Sequence, residues 1–144
     1  MAGIVNPGSI APKIETLSRR AAQQTAEGLD AAFANAIGDS GYKWPRQTQR
    51  RNGRVVGSPR DIIDTGNLDS SQQLSRNDDV WTWTWNPKSD DGFGYALLVH
   101  EGATLSNGTQ YPARRWTAVA TKKFKPVAQF ARNLRRITRE TKIL

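Results

Sequence analysis

The amino-acid sequence predicts an α+β fold, in which a small antiparallel sheet is packed by a long N-terminal helix and a basic C-terminal helix. Apolar residues recur every three or four positions between residues 14 and 37, which is the spacing of one helix face. Residues 80–85, VWTWTW, alternate between tryptophan and smaller side chains, as a strand does. A second helical stripe, between residues 127 and 137, lies in an arginine-rich segment. These patterns place helices at both ends of the chain and strands between them.

The composition is that of one globular domain. At 144 residues the chain can bury one core, so we expect a single domain over residues 1–144, with a flexible arm at 1–8 and a tail at 140–144. The absence of cysteine excludes disulfides and thiolate metal sites. No apolar run has the length of a membrane span, and the first residues lack a signal-peptide pattern, so we expect no membrane partner.

The positive charge is concentrated near the C-terminus. Residues 112–144 contain ten basic residues and one acidic residue, a net charge of +9, whereas the rest of the chain contains eleven basic and twelve acidic residues, a net charge of −1. This asymmetry indicates a polyanion or an acidic protein surface as a neighbour, or simply a solvated helical face.

The first helix is predicted to begin at Ser9, which can cap it, with Pro12 in the first turn, where the missing amide has no helical partner. Gly38 is expected to end it after about seven turns. One narrow apolar stripe should pack into the core, and it consists of Ile14, Leu17, Ala21, Thr25, Leu29, Phe33 and Ile37.

A basic connector follows, in which Asn52 and Gly53 predict a hairpin. Its Arg50 and Arg51 are candidates for contact with DNA in a channel, or for plain exposure to solvent.

Residues 64–68, DTGNL, predict a turn, because Asp64 and Thr65 can accept hydrogen bonds from following amides and Gly66 tolerates positive φ. Asp64, Thr65 and Gly66 also match the local signature of aspartic proteases, which would require a dimer to supply the second carboxylate. Asn67 stands where that family has a small residue, and the two terminal helices have no place in that fold. The turn explains the residues without an enzyme.

The strand at residues 80–85 should direct Trp81, Trp83 and Trp85 to one face. Aromatic rings in a row can stack on nucleic-acid bases, but we expect them to pack under a helix or against a neighbouring subunit.

Residues 95–116 read as a strand or short helix, a glycine-bearing loop and the start of a new helix. Pro126 is expected to interrupt that helix at Lys125. Beyond it, an apolar stripe is flanked by arginines, and its members are Val127, Phe130, Ala131, Leu134 and Ile137.

Three segments in this order resemble the neck or tail-completion family of long-tailed bacteriophages, a family of head-to-tail joining and minor tail components. They are residues 64–68, DTGNL, residues 95–103, YALLVHEGA, and residues 111–116, YPARRW. Two departures occur: Arg115 stands where the family usually has proline, and the acidic position before the glycine is shared between His100 and Glu101.

The resemblance implies a virion protein that forms a ring, with six copies, around the DNA channel at the junction between the head connector and the tail tube. Its partners would be further copies of itself, head-closure or connector proteins, and tail-terminator or tail-tube proteins, with non-specific contact to packaged DNA. It implies no catalysis, cofactor or metal. A tail-terminator ring and a basic nucleic-acid-binding module are the alternatives.

His100, the single histidine, lacks the partners for a metal site or a nucleophile relay and is expected to be a hydrogen-bonded surface or interface group.

The other candidate residues form two groups. Residues expected to determine shape or contact another subunit are Asp64, Gly66, Leu68, Tyr95, Glu101, Gly102, Pro112, Arg114 and Trp116. Residues expected to face the DNA channel or an acidic partner are Arg50, Arg51, Arg132, Arg135 and Arg136.

Overall fold

The computed structural model describes residues 7–141, apart from the side chains of Pro7 and Ser9, and it confirms the α+β class. Its strands pair as three separate two-stranded antiparallel ladders, β1 with β2, β3 with β4 and β5 with β6. The elements in order are α1 (Pro7–Ile37), β1 (Thr48–Gln49), β2 (Val55–Val56), α2 (Asn67–Ser70), β3 (Gln72–Asn77), β4 (Val80–Trp85), α3 (Ala96–Glu101), β5 (Ala103–Thr104), β6 (Gln110–Tyr111), α4 (Trp116–Phe124) and α5 (Pro126–Glu140).

Helix α1 is longer than predicted. It begins at Pro7, so Ser9 lies inside the helix instead of capping it, and Pro7 and Gly8 do not belong to a flexible arm. Pro12 therefore lies in the second turn, where it removes one helical hydrogen bond, and packing of the later turns on α4 and α5 offsets that loss. The remaining predicted arm, residues 1–6, and residues 142–144 of the predicted tail lie outside the described residues.

The predicted stripe on α1 is buried from Leu17 to Ile37, but Ile14 is 53% exposed and its prediction was wrong. Leu17 already packs against Ile137, close to the end of α5. Within residues 7–141, no element extends far enough to cover Ile14.

The larger core cluster lies between the second half of α1, α2, the β3–β4 hairpin and α4. Its buried members are Leu29, Phe33, Ala36, Ile37, Leu68, Trp116 and Ala120. The rings of Trp83 and Trp85 meet Phe33 edge to face, with centroids 5.5 and 5.3 Å apart. Trp83 and Trp85 thus pack under a helix, as predicted, whereas Trp81 lies beside the guanidinium of Arg76 on β3.

The hairpin predicted at Asn52 and Gly53 is present, with Thr48 opposite Val56 and Gln49 opposite Val55. The β3–β4 hairpin pairs all six residues of each strand, from Gln72 with Trp85 to Asn77 with Val80. Both are antiparallel hairpins with short turns, which local sequence can specify.

The predicted interruption between the last two helices is confirmed, because Lys125 has a φ of 54° and α5 begins at Pro126. A smaller core cluster, Leu17, Ala21 and Ile137, fixes α5 to α1, with Phe130 and Leu134 beside it. Val127 is 84% exposed, so its assignment to the buried stripe was wrong. It lies in the first turn after the break, before α5 reaches α1.

Candidate functional site

Five of the residues predicted to determine shape or contact a subunit line one cleft of about 320 Å³. They come from three distant segments of the chain and are Asp64, Gly66, Leu68, Tyr95 and Arg114. A neighbouring cleft of about 600 Å³ is lined by three others, Glu101, Gly102 and Pro112. Trp116 is buried in the core, and its ring meets Trp85 edge to face.

The turn on one wall of the first cleft depends on Gly66, whose φ of 84° favours glycine, and α2 begins directly after it. Thr65 Oγ1 accepts a hydrogen bond from the Asn67 amide at 3.4 Å, as predicted. Asp64 does not bond a following amide, so that prediction was wrong. Its Oδ1 accepts from the backbone amide of Arg51 at 3.1 Å, which ties the turn to the β1–β2 hairpin.

Arg114 and Arg60 enclose the indole of Trp44. Each guanidinium carbon lies 3.4 Å from the centroid of the Trp44 ring. Two cations cannot occupy the same face at that height, so the indole separates them. Both side chains are buried, with 3% of Arg114 and 8% of Arg60 exposed. Stacking of a guanidinium on an aromatic face is favourable and stronger where water is excluded.

Burial has a cost for both arginines. It lowers the pKa of Arg114 to about 10, and the positive charge of Arg60 adds to that effect. Burial likewise lowers the pKa of Arg60, with Arg50 as the next cause. Arg60 retains hydrogen bonds to Thr48 and to the Val56 carbonyl. Trp44 thus stabilises both guanidinium groups by stacking, but burial leaves their positive charges only partly solvated.

Sequence reasoning missed Trp44 and Arg60. Neither residue belongs to a periodic pattern, and the stack joins positions 44, 60 and 114 of the chain. Only the tertiary structure brings them together.

His100 is hydrogen-bonded, as predicted, but its two partners are those of a nucleophile relay, which the sequence was expected to lack. Its Nδ1 lies 2.6 Å from Glu101 Oε1 and its Nε2 lies 2.7 Å from Thr117 Oγ1. Glu101 also accepts two hydrogen bonds from Arg115, which, with the bond to His100, hold the pKa of its carboxyl below the ordinary value. The Thr117 hydroxyl, the His100 imidazole and the Glu101 carboxylate are hydrogen-bonded in the order found in a nucleophile relay. Neither His100 nor Thr117 lines the two clefts above, and the chain of bonds connects α3 to the start of α4.

Gly102 ends α3 with a φ of 74° and a ψ of 173°. A Cβ atom there would lie 2.7 Å from the Ala113 amide nitrogen and closer still to the Tyr111 carbonyl oxygen. The Arg114 amide donates to the Val99 and His100 carbonyls, both at 3.1 Å. These contacts bring residues 111–114 against the end of α3 and place Arg114 in the cleft.

The candidate DNA-facing arginines fall into two groups. Arg50 is mostly buried and bonds Asp61 at 2.6 Å, and Arg51 pairs with Asp90 at 2.8 Å. On α5, Arg136 bonds Glu140 and Gln24. Arg132 and Arg135 are exposed, and among residues 7–141 neither side chain has an ion-pair or hydrogen-bond partner.

No match to the chain is found among protein-family models, curated proteins or solved structures. Within residues 7–141, the structure contains no cluster of three or more His, Cys, Asp or Glu that could hold a metal ion. None of the helices in this part of the chain combines the length and apolar character needed to cross a membrane.

Proposed function

We propose that this chain is a structural subunit of the virion of a tailed bacteriophage and forms a ring at the junction of head and tail. In this proposal the ring joins the connector to the tail tube around the DNA. Two findings support it: the order of the three sequence segments that resemble the neck or tail-completion family, and the meeting of residues from those segments at one cleft.

The observation that carries the proposal is that residues of the three segments meet at one cleft. We assign the contact between copies to two of the exposed apolar side chains, on helices α3 and α5. Leu97, on α3, is 75% exposed, and the contact of His100 with Thr117 holds α3 at the start of α4. Val127, 84% exposed, follows the other end of α4. A nine-residue helix is about 13 Å long. Two different apolar positions on one subunit allow a head-to-tail contact, which generates a ring where the rotation from copy to copy closes.

Light scattering of the purified chain tests the ring. The wild type is expected to have the mass of a closed oligomer, whereas Leu97→Asp and Val127→Asp each give monomers. Val55→Asp changes an exposed valine on β2 and serves as the control that still assembles. A mixture of the two monomeric variants should form dimers that cannot grow further, because each variant keeps one of the two apolar contact positions.

The location of the ring distinguishes a neck protein from a tail terminator. Electron microscopy of parent particles with the chain labelled should place it between the connector and the tube. A wild-type chain that stays monomeric and is missing from particles would overturn the proposal, and a label at the end of free tails would indicate the terminator.

A second candidate function, non-specific nucleic-acid binding, is favoured by the outer face of α5. Arg132, Arg135 and Arg139 follow one another at spacings of three and four residues, on the side of the helix opposite the buried Ile137. All three are exposed and have no ion-pair partner within the described part of the chain. Arginines in this arrangement can contact phosphates without reading sequence.

Retardation of random duplex DNA at several salt concentrations tests this candidate. The double variant Arg132→Gln and Arg135→Gln should weaken binding and reduce the slope of log affinity against log salt by about 1 to 2. Arg19→Gln removes one exposed arginine that is ion-paired on α1 and should leave the slope unchanged. Equal slopes for the double variant and the wild type would mean that α5 is a solvated face.

A further inference from the structure

Arg114 is a buried cation to which the fold supplies no counter-ion among residues 7–141. Its Nε and Nη2 have no hydrogen-bond partner, and the charged side chain that most affects it is Arg60, which repels it. The adjacent Arg115, although exposed, is paired with Glu101. Burying a guanidinium without a carboxylate is unfavourable, because its lost hydration is not replaced.

The unpaired nitrogens are those that recognise a carboxylate. A guanidinium binds the two oxygens of a carboxylate side-on through two parallel N–H groups, and Nε and Nη2 form such an edge. This edge is enclosed in the free chain. Arg114 itself lines the 320 Å³ cleft, so a ligand in that cleft reaches the edge once the side chain turns or a neighbouring side chain moves aside.

The other residues that line the 320 Å³ cleft favour a ligand in which apolar groups flank the carboxylate. Apolar side chains cover much of the wall, among them Ile62, Leu68, Leu98 and Val99. The lining also includes the carboxylates of Asp64 and Asp69 and the basic side chains of Arg51 and Lys88. Because Arg51 is already paired with Asp90, the cleft suits a single carboxylate better than a nucleic acid, which carries a phosphate at every nucleotide.

The surroundings favour a polypeptide over a small acid. Tyr111 lines the cleft and is 39% exposed. A small acid in the cleft would leave part of this ring in water, whereas a chain crossing the mouth would cover it.

We propose that this cleft binds a segment of another polypeptide that carries an Asp or Glu between apolar residues, with the carboxylate on the Nε–Nη2 edge of Arg114. The contact supplies the counter-ion that residues 7–141 do not provide, and it covers the exposed part of Tyr111. It requires only the cleft and Arg114, so it holds whether or not the copies form a ring.

Two peptides with blocked ends, Gly-Leu-Asp-Leu-Gly and Gly-Leu-Asn-Leu-Gly, test the inference by NMR of the full chain. The Asp peptide at millimolar concentration should shift the Arg114 Nε–H and Trp44 indole N–H resonances. The Asn peptide should bind at least about tenfold more weakly, since it lacks the charge. Arg114→Met, which removes both the charge and the two parallel N–H groups, should remove most of this difference. Arg115→Met, at the neighbouring exposed arginine, should not.

Several results would overturn the inference. Equal binding of the two peptides, or no shift at Arg114, would remove the carboxylate contact. Inorganic phosphate that competes as well as the Asp peptide would indicate a general anion site, and 3-phenylpropionate that binds more tightly than the peptide would indicate a free acid. If Arg114→Met does not fold, acid titration of the wild-type complex replaces it. Binding should then fall as the pH drops through the Asp side-chain pKa of about 4, and binding that stays constant would count against the proposal.

Discussion

Replacing Gly102 with alanine should destabilise the protein by about 3 to 5 kcal/mol. Its φ of 74° and ψ of 173° lie in a region that is almost restricted to glycine, where another residue is strained by about 1 to 3 kcal/mol. The new Cβ would also overlap the backbone at Tyr111 and Ala113. Backbone atoms cannot rotate away as a side chain can, so α3 and β6 must separate.

Gly108→Ala is the matched control, because Gly108 has a φ of 80° and no atom within 4 Å of an added Cβ. It should cost only the left-handed strain, about 1 to 2 kcal/mol. Urea denaturation of both variants gives the free energies of unfolding, with the slope checked for two-state behaviour. If the two variants lose the same stability, the close approach of α3 to β6 does not contribute and the reasoning is refuted.

Three further predictions concern packing, pH and assembly. Ile137→Ala removes a fully buried side chain and should cost about 2 to 5 kcal/mol in urea denaturation, whereas Val55→Ala, at an exposed valine on β2 outside the proposed ring contact, should change stability by less than about 1 kcal/mol. Burial, and then the charge of Asp39, raises the pKa of Tyr42 to about 12, so its contribution to stability is complete below about pH 10 and is lost as the pH rises through about 12. Subtracting the ultraviolet titration of Tyr42→Phe from that of the wild type isolates the ionisation of Tyr42. The midpoint of this difference should lie near pH 12, and a midpoint near pH 10 would contradict the burial of Tyr42. Since each copy carries a net charge of +8, ring formation should increase with salt in the absence of DNA, and a ring that dissociates on addition of salt would refute this.

Periodicity and turn chemistry predicted most of the regular structure. The spacing in α1 and α5, the alternation in β4, Gly53 and Pro126 each specify a local conformation, and the chain adopts it. The failures at element ends, such as Ile14 and Val127, have a shared cause. A stripe predicts which face of a helix is apolar, but the length of the partner element decides how much of that face is covered.

The candidate site was only partly predictable. The resemblance selected five of the residues lining the cleft, because their types recur in a recognisable order. It could not supply Trp44, whose position between Arg60 and Arg114 depends on the path of the connector. The buried Asn133 was missed for a similar reason, since its partner Thr25 lies 108 residues away on α1.

The basic residues of the C-terminal region are of two kinds, buried and exposed, which a count of charges in the sequence cannot distinguish. Arg114 contributes to the net charge, yet it is enclosed and adds little to the field that a distant polyanion experiences. Arg132, Arg135 and Arg139 are exposed and unpaired within residues 7–141, and Ile137 on the opposite side fixes their direction by packing on α1. Changing the α5 arginines should therefore alter long-range electrostatics without disturbing the cleft. Changing Arg114 should alter the cleft without changing the salt dependence of DNA binding, because a buried charge releases no counter-ions from a phosphate backbone.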